Sequence, residues 1–183
     1  RKKPEVLSPA GNLRGLKTAV DYGADAVYCG GKAFGMRSAP KNLSLEDFEE
    51  GSRYAHERGA RVYVTCNVLP RNNEIEAMRE YVGQLKDTGV DALIVSDIGV
   101  MMMARQVAPN LELHVSTQAG VTNYQAANAS TSLVLAVWCW PARWTCRPCV
   151  IFAPTFPMTS TSNASSTVLC AWPSPAAACS PTI

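Results

Sequence analysis

Ser8, the pair Gly30-Gly31, Asn67, Asp97, Ser116 and Gln118 are small or hydrogen-bonding residues, and each stands where a short apolar run gives way to a turn. Groups of this kind can orient a ligand. Arg37, in the loop after the second apolar run, carries a guanidinium suited to an anionic substrate. Each also has a plainer reading. Gly30 and Gly31 can simply turn the chain, Asp97 can cap the next helix, and Arg37 can be a solvated loop arginine. His56, late in a helical segment, reads as a surface residue. His114, inside an apolar run, reads as a buried structural histidine rather than a catalytic one. Glu74, Glu76 and Glu80 form a solvated helix face, and Met101, Met102 and Met103 read as core. No Ser/His/Asp, Cys/His or paired-carboxylate arrangement is legible. Catalytic residues are therefore unassigned and no metal site is expected.

The elements that position these residues alternate regularly. The sequence predicts strands at Glu5 to Ser8, Ala26 to Cys29, Arg61 to Asn67, Ala92 to Asp97 and Leu111 to Ser116. They are short and apolar, as parallel strands covered on both faces are. Between them lie helical segments. Asn12 caps one through Tyr22, Ser44-Leu45-Glu46-Asp47 opens another to about Arg58, one runs from about Asn73 to Thr88, and one from Gly99 to Ala108. Asn123 starts a further helix. Gly23, Gly59 and Gly89 stand where helices must stop. Gly23-Ala24-Asp25-Ala26-Val27 is echoed by Gly89-Val90-Asp91-Ala92-Leu93. This rhythm predicts an α/β fold, either a (β/α) barrel or a doubly wound sheet. The barrel is favoured, because no Gly-x-Gly-x-x-Gly follows the first strand. About five of eight units are legible, a partial TIM-type barrel.

The rhythm stops near residue 129. All 15 Asp and Glu precede that point, and of the 17 Lys and Arg only Arg143 and Arg147 follow it. The four Trp all follow it, and in the head only Cys29 and Cys66 occur among the seven Cys. A globular segment normally carries about a quarter charged residues. The sequence therefore divides into a head, 1–129, and a tail, 130–183, expected to be non-native and without a coherent core. The net charge of +2 gives no sign of nucleic-acid binding by itself. No apolar stretch reaches the roughly 18 residues of a membrane helix. Arg1-Lys2-Lys3 leads to Pro4 without an apolar run behind it, so no signal peptide is expected. Two Cys in the head suit a reducing cytoplasm.

Several segments together resemble the opening of the collagenase-like peptidase family U32. They are Leu7-Ser8-Pro9-Ala10-Gly11-Asn12, Gly23 through Gly31, Phe34-Gly35-Met36-Arg37, Val62 through Asn67, Gly89 through Asp97, and His114-Val115-Ser116-Thr117-Gln118. The resemblance covers about residues 4–128. It implies a barrel. It also implies one of two activities, since the family is named for proteolysis while several members hydroxylate RNA or serve ubiquinone synthesis. The head is most similar to the transfer-RNA branch, which makes 5-hydroxyuridine with prephenate. Such members carry a 4Fe-4S cluster on four cysteines after a His-Gly motif. The resemblance thus implies transfer RNA and a small anion such as prephenate as partners of an intact parent, and no cofactor in this chain.

The tail departs from that family, and back-translation suggests why. Trp138-Cys139-Trp140-Pro141 read from the third base of Trp138 gives Val-Leu-Ala without free choice. Trp144-Thr145 and Met158-Thr159 each force an Asp in that frame, and suitable codons for Asn163 to Ala171 give a His-Gly-x-x-Cys segment. A one-base slip near codon 129 is expected. Cys146 and Cys149 are spaced like a zinc knuckle, but a lone pair is a weak motif. Asn128 and Asn163 sit in glycosylation-like triplets, which a cytoplasmic chain would not use. Three readings follow: a fragment of an RNA-hydroxylation enzyme, itself inactive; a true protease; or a non-catalytic binding module.

Overall fold

The computed structural model describes residues 5–35, 42–123, 125, 126 and 129, together with the backbone of 137–140 and 169–170. Strands and helices alternate as the sequence requires. The strands are Leu7–Ala10 (β1), Ala26–Gly30 (β2), Arg61–Cys66 (β3), Ala92–Val95 (β4) and Glu112–Val115 (β5). The helices between them are Leu13–Asp21 (α1), Leu45–His56 (α2), Ile75–Leu85 (α3) and Ile98–Val107 (α4). All neighbouring strands pair in parallel and in chain order. Val137–Trp140 (β6) continues the sheet beside β5, and Leu169–Cys170 (β7) beside β6, again in parallel. Both segments lie beyond residue 129. Cys146, Cys149, Asn128 and Asn163 lie outside the described residues.

Local signals set the boundaries. Asn12 caps α1 by accepting the Gly15 amide at 2.8 Å. Ser44 and Asp47 form a reciprocal capping box on α2. Gly23, Gly59 and Gly89 each adopt positive φ after a helix, at 88°, 74° and 79°. The third helix is shorter than expected. A 3-10 turn over Asn72–Glu74 precedes it, and Lys86 caps its end. Asn123 Oδ1 accepts the Ala126 amide at 2.9 Å, a helix-starting bond as the sequence predicts.

Alternation along the strands separates two cores. The helix side takes Val27, Cys29, Val62, Val64, Leu93, Val95 and Val115, packed on Leu16, Phe48, Met78 and Val82. The other face carries a smaller cluster of Ala26, Tyr63, Ala92 and Ile94, with Leu7 and Tyr28. Met101 and Met103 are buried, but Met102 is 44% exposed. A helix turns about 100° per residue, so three consecutive methionines cannot share one face. His114 is buried and packs edge-on against Tyr63 at 4.6 Å, with Nε2 3.4 Å from Glu112. His56 is exposed as expected, yet it is bound: its Nε2 meets Asp91 at 3.0 Å.

Candidate functional site

A cavity of about 520 Å³ opens at the carboxyl ends of the strands. Pro9, Ala10 and Gly11 contribute from the end of β1, and Tyr28 and Gly30 from β2. Thr65 and Asn67 come from β3, Ile94 from β4, and Ser116, Thr117 and Gln118 from the turn after β5. Asn42 and Gly35 close one side from the loop after β2.

That loop is pinned back onto the sheet. Leu43 donates its amide to the Gly30 carbonyl and accepts from Lys32, each at 3.2 Å. Asn42 Nδ2 donates to the Gly31 carbonyl at 3.1 Å. Gly30 permits this closeness. A Cβ there would lie 3.1 Å from Asn42 Nδ2 and 3.3 Å from Thr65 Oγ1, tighter than side chains normally pack. Thr65 donates to the Cys29 carbonyl at 3.3 Å, which anchors the middle of the wall. On the far side, buried Ser96 donates to the Asn67 carbonyl at 3.3 Å and reaches Gln118 Oε1 at 3.5 Å. Ser116 Oγ accepts the Gln118 amide at 3.4 Å and begins a one-turn 3-10 helix. Gly120 ends that helix at φ 69°.

Four of the residues singled out from sequence therefore meet in one cavity: Gly30, Asn67, Ser116 and Gln118. Three others sit beside it in different roles. Ser8 lies between Leu7 and Pro9, both of which line the cavity, so strand alternation turns it away. Gly31 is buried beneath Tyr81 and Phe48. Asp97 caps α4, its Oδ1 accepting the Val100 amide at 2.9 Å. Arg37 lies outside the described residues. Thr65 and Tyr28 were legible through alternation from Asn67 and Gly30. Asn42 carried no sequence signal, because a backbone bridge between Gly31 and Leu43 brings it in.

The described lining is mostly apolar surface with several amides and hydroxyls set into it, and it holds no charged side chain. It can position a ligand through amides, hydroxyls and backbone groups. A serine nucleophile needs a base to take its proton, and no histidine or carboxylate lies among these lining residues. Burial pushes the Cys29 thiol up to about 12, so it stays protonated near neutrality. Iron–sulfur clusters bind thiolates. Among the described residues the free thiols are Cys29 and Cys66, both buried and both pushed up to about 12 by burial. No group of three or more His, Cys, Asp or Glu could hold a metal ion there. The described residues do not fit such a cluster.

The chain is similar to several known proteins. The chain is 45% identical over 125 residues to tRNA hydroxylation protein P1 of Bacillus subtilis, covering 68% of this chain and 30% of that protein. It is 39% identical over 137 residues to the 23S rRNA 5-hydroxycytidine synthase of Escherichia coli, covering 72% and 20%. It is 44% identical over 119 residues to an uncharacterized protease of Methanocaldococcus jannaschii, covering 65% and 29%. The chain thus spans between 20% and 30% of the length of these relatives. Among solved structures, a U32 peptidase superposes with TM-score 0.60 at 18% identity, covering 76% of this chain and 60% of that one. A tryptophan synthase from M. tuberculosis superposes at 0.52 and 11% identity, covering 75% and 64%. These likenesses support an α/β fold of partial TIM-barrel type. The pattern of peptidase family U32 matches residues 11–136, and the chain belongs to that family.

Proposed function

We propose that the chain is the amino-terminal part of an RNA-hydroxylating barrel protein acting on transfer-RNA uridine. The supporting observation is that two relatives named for RNA hydroxylation match over 125 and 137 residues, while the family pattern spans residues 11–136, which carry most of the cavity lining. A small anion such as prephenate would enter this cavity, where Gly30, Asn67, Ser116 and Gln118 offer hydrogen bonds. Ser8, Gly31 and Asp97 would act indirectly, through the strand and turn geometry around it. Arg37 is retained as a candidate ligand for the anion. The cytoplasm is the proposed compartment. Among the described residues no helix is long and apolar enough to cross a membrane.

The absence of acidic residues after residue 129 supports a one-base slip near that codon. An iron–sulfur cluster in the intact parent would require thiols from beyond the described residues. The 183-residue chain itself is therefore proposed to be inactive. The test is to restore the frame near codon 129 and express both forms in a host lacking its own transfer-RNA hydroxylation protein. Nucleoside mass spectrometry should find 5-hydroxyuridine with the repaired gene and none with the original. Elemental analysis should find iron only in the repaired product. Absence of 5-hydroxyuridine with a folded, repaired protein would overturn the reading.

A further inference from the structure

We propose that RNA phosphates dock on the cavity rim of the first three strand–helix units, through Arg14, Lys32 and Arg71. The proposal rests on the RNA reading above and names the surface that reading leaves open.

The three cations occupy equivalent places. Each follows the carboxyl end of a strand: Arg14 at the start of α1, Lys32 after β2 and Arg71 after β3. Since β1, β2 and β3 are neighbours in the sheet, their carboxyl-end loops are neighbours too. All three side chains are exposed. None enters a salt bridge among the described residues, whereas other cations do: Lys17 with Glu50, Arg58 with Asp21, Arg61 with Glu5, and Arg79 with Glu76.

Three carboxylates on this side accept amides at helix starts. Asp47 accepts the Ser44 amide at 2.9 Å, Glu74 the Arg71 amide at 2.7 Å, and Asp97 the Val100 amide at 2.9 Å. Glu46 is held below the usual carboxylate range by its own backbone amide and the Ser44 hydroxyl, with Lys32 adding a weaker pull. These carboxylates keep their charge, but none bridges Arg14, Lys32 or Arg71, and Glu49 lies one turn lower on α2. The four helices also direct their amino termini to this end, where their dipoles favour anions. The opposite end differs. Asp21, Asp25, Glu57, Asp87 and Asp91 stand there near the helix carboxyl ends and the connections into the next strands. Arg53 and Lys86 also lie outside the salt bridges among the described residues, but they stand near the carboxyl ends of α2 and α3, away from the cavity, whereas Arg14, Lys32 and Arg71 stand beside it. A polyanion that reaches the cavity meets these three cations, which can pair with its phosphates. The cavity itself, lined by uncharged groups, would be left for the reacting part of the substrate.

The test is binding of an unmodified transfer-RNA transcript to the full 183-residue chain, by fluorescence anisotropy across a salt series. The triple variant Arg14→Gln/Lys32→Gln/Arg71→Gln should flatten the slope of log affinity against log salt by about 2 to 3, near one per lost phosphate contact. Its affinity at low salt should fall at least about tenfold. Lys86→Gln, at the other end of α3, should leave both within about twofold of the original. Circular dichroism and a urea midpoint check that each variant is folded. An unchanged slope in the triple variant, or an equal loss in Lys86→Gln, overturns the rim, and so does failure of the original chain to bind at low salt. The same variants in the repaired gene separate the two ideas. Undiminished 5-hydroxyuridine with the triple variant sinks the rim alone, while no 5-hydroxyuridine with any form sinks the RNA reading.

Discussion

Val62 and Asp91 exchange two hydrogen bonds across adjacent strands. The Val62 amide donates to Asp91 Oδ2 at 2.7 Å, and the Asp91 amide donates to the Val62 carbonyl at 2.9 Å. Val6 and Asp25 do the same one repeat earlier, at 2.8 and 3.0 Å. This is the physical content of the Gly-x-Asp repeat. The glycine stops the helix, and the aspartate then seals the start of the preceding strand.

The two copies differ in burial, and that sets their worth. Val62 is fully buried, while Val6 is 56% exposed. Removing the Asp91 carboxylate strands a buried amide, which costs about 1–3 kcal/mol. Water can replace Asp25 at Val6. Asp91→Ala should therefore lower the urea unfolding free energy by about 2 kcal/mol, and Asp25→Ala by under about 1. Equal losses would show that the carboxylate's partner amide does not set the effect.

Gly31 and Tyr81 make a second testable pair. A Cβ at Gly31 would overlap the Tyr81 hydroxyl and lie 3.1 Å from its Cζ. That hydroxyl is buried without a hydrogen-bond partner. Gly31→Ala should destabilise by about 2 kcal/mol through overpacking. Tyr81→Phe should be neutral or stabilising by up to about 1 kcal/mol, because it removes an unsatisfied polar atom. In the Phe background the Gly31→Ala loss should shrink by about 1 kcal/mol or more, a coupling that a double-mutant cycle measures.

The two thiols define a pH window. Burial raises Cys29 and Cys66 from 9.0 to about 12 in the folded chain. An unfolded chain releases these protons first as pH rises. Their contribution is thus fully present below pH 9 and is lost between there and about 12. The loss should approach about 1.4 kcal/mol per pH unit for each thiol within that window. Urea titrations at pH 8 and pH 10 should show it, and Cys29→Ala/Cys66→Ala should reduce the difference. Near pH 8, a thiol reagent should label these positions only after urea is added. Rapid labelling of the folded chain at Cys29 or Cys66 would contradict the burial.

How far the sequence could be read depended on the kind of signal each residue carries. Helix stops at Gly23, Gly59 and Gly89 follow from backbone sterics, so they were visible. The ends of short apolar runs located the carboxyl ends of the strands, and with them Asn67, Ser116 and Gln118. The first strand runs from Leu7 to Ala10 rather than from Glu5 to Ser8, so Ser8 lies inside it and not at its carboxyl end. Asp97 could serve a ligand or a helix, and the backbone direction after β4 decides for the helix. Asn42 depends on a loop folding back by bridge pairing, which is a tertiary event without a local pattern. His56 reads as a surface residue from its own helix, since its partner Asp91 is distant in sequence.

Two helical glycines should respond to alanine with opposite signs. In a helix interior, glycine is worse than alanine by about 1 kcal/mol, so substitution is stabilising where space allows. Gly83 in α3 has that space: a Cβ would meet only Val107 Cγ1, at 3.5 Å, an ordinary contact. Gly51 in α2 does not. Its Cβ would come 2.9 Å from Leu16 Cδ1 and 3.4 Å from Leu13 Cδ1, at the crossing of α1 and α2. Leu16 is fully buried, so its side chain cannot retreat without disturbing the helix-side core. Overpacking there costs about 1–3 kcal/mol, which exceeds the helix gain. Gly83→Ala should raise the unfolding free energy by about 0.5–1 kcal/mol, and Gly51→Ala should lower it by about 1. Urea denaturation followed by circular dichroism reads both. Stabilisation by both substitutions would mean that α1 and α2 can separate freely, and that the close approach at Gly51 is not what holds them in register.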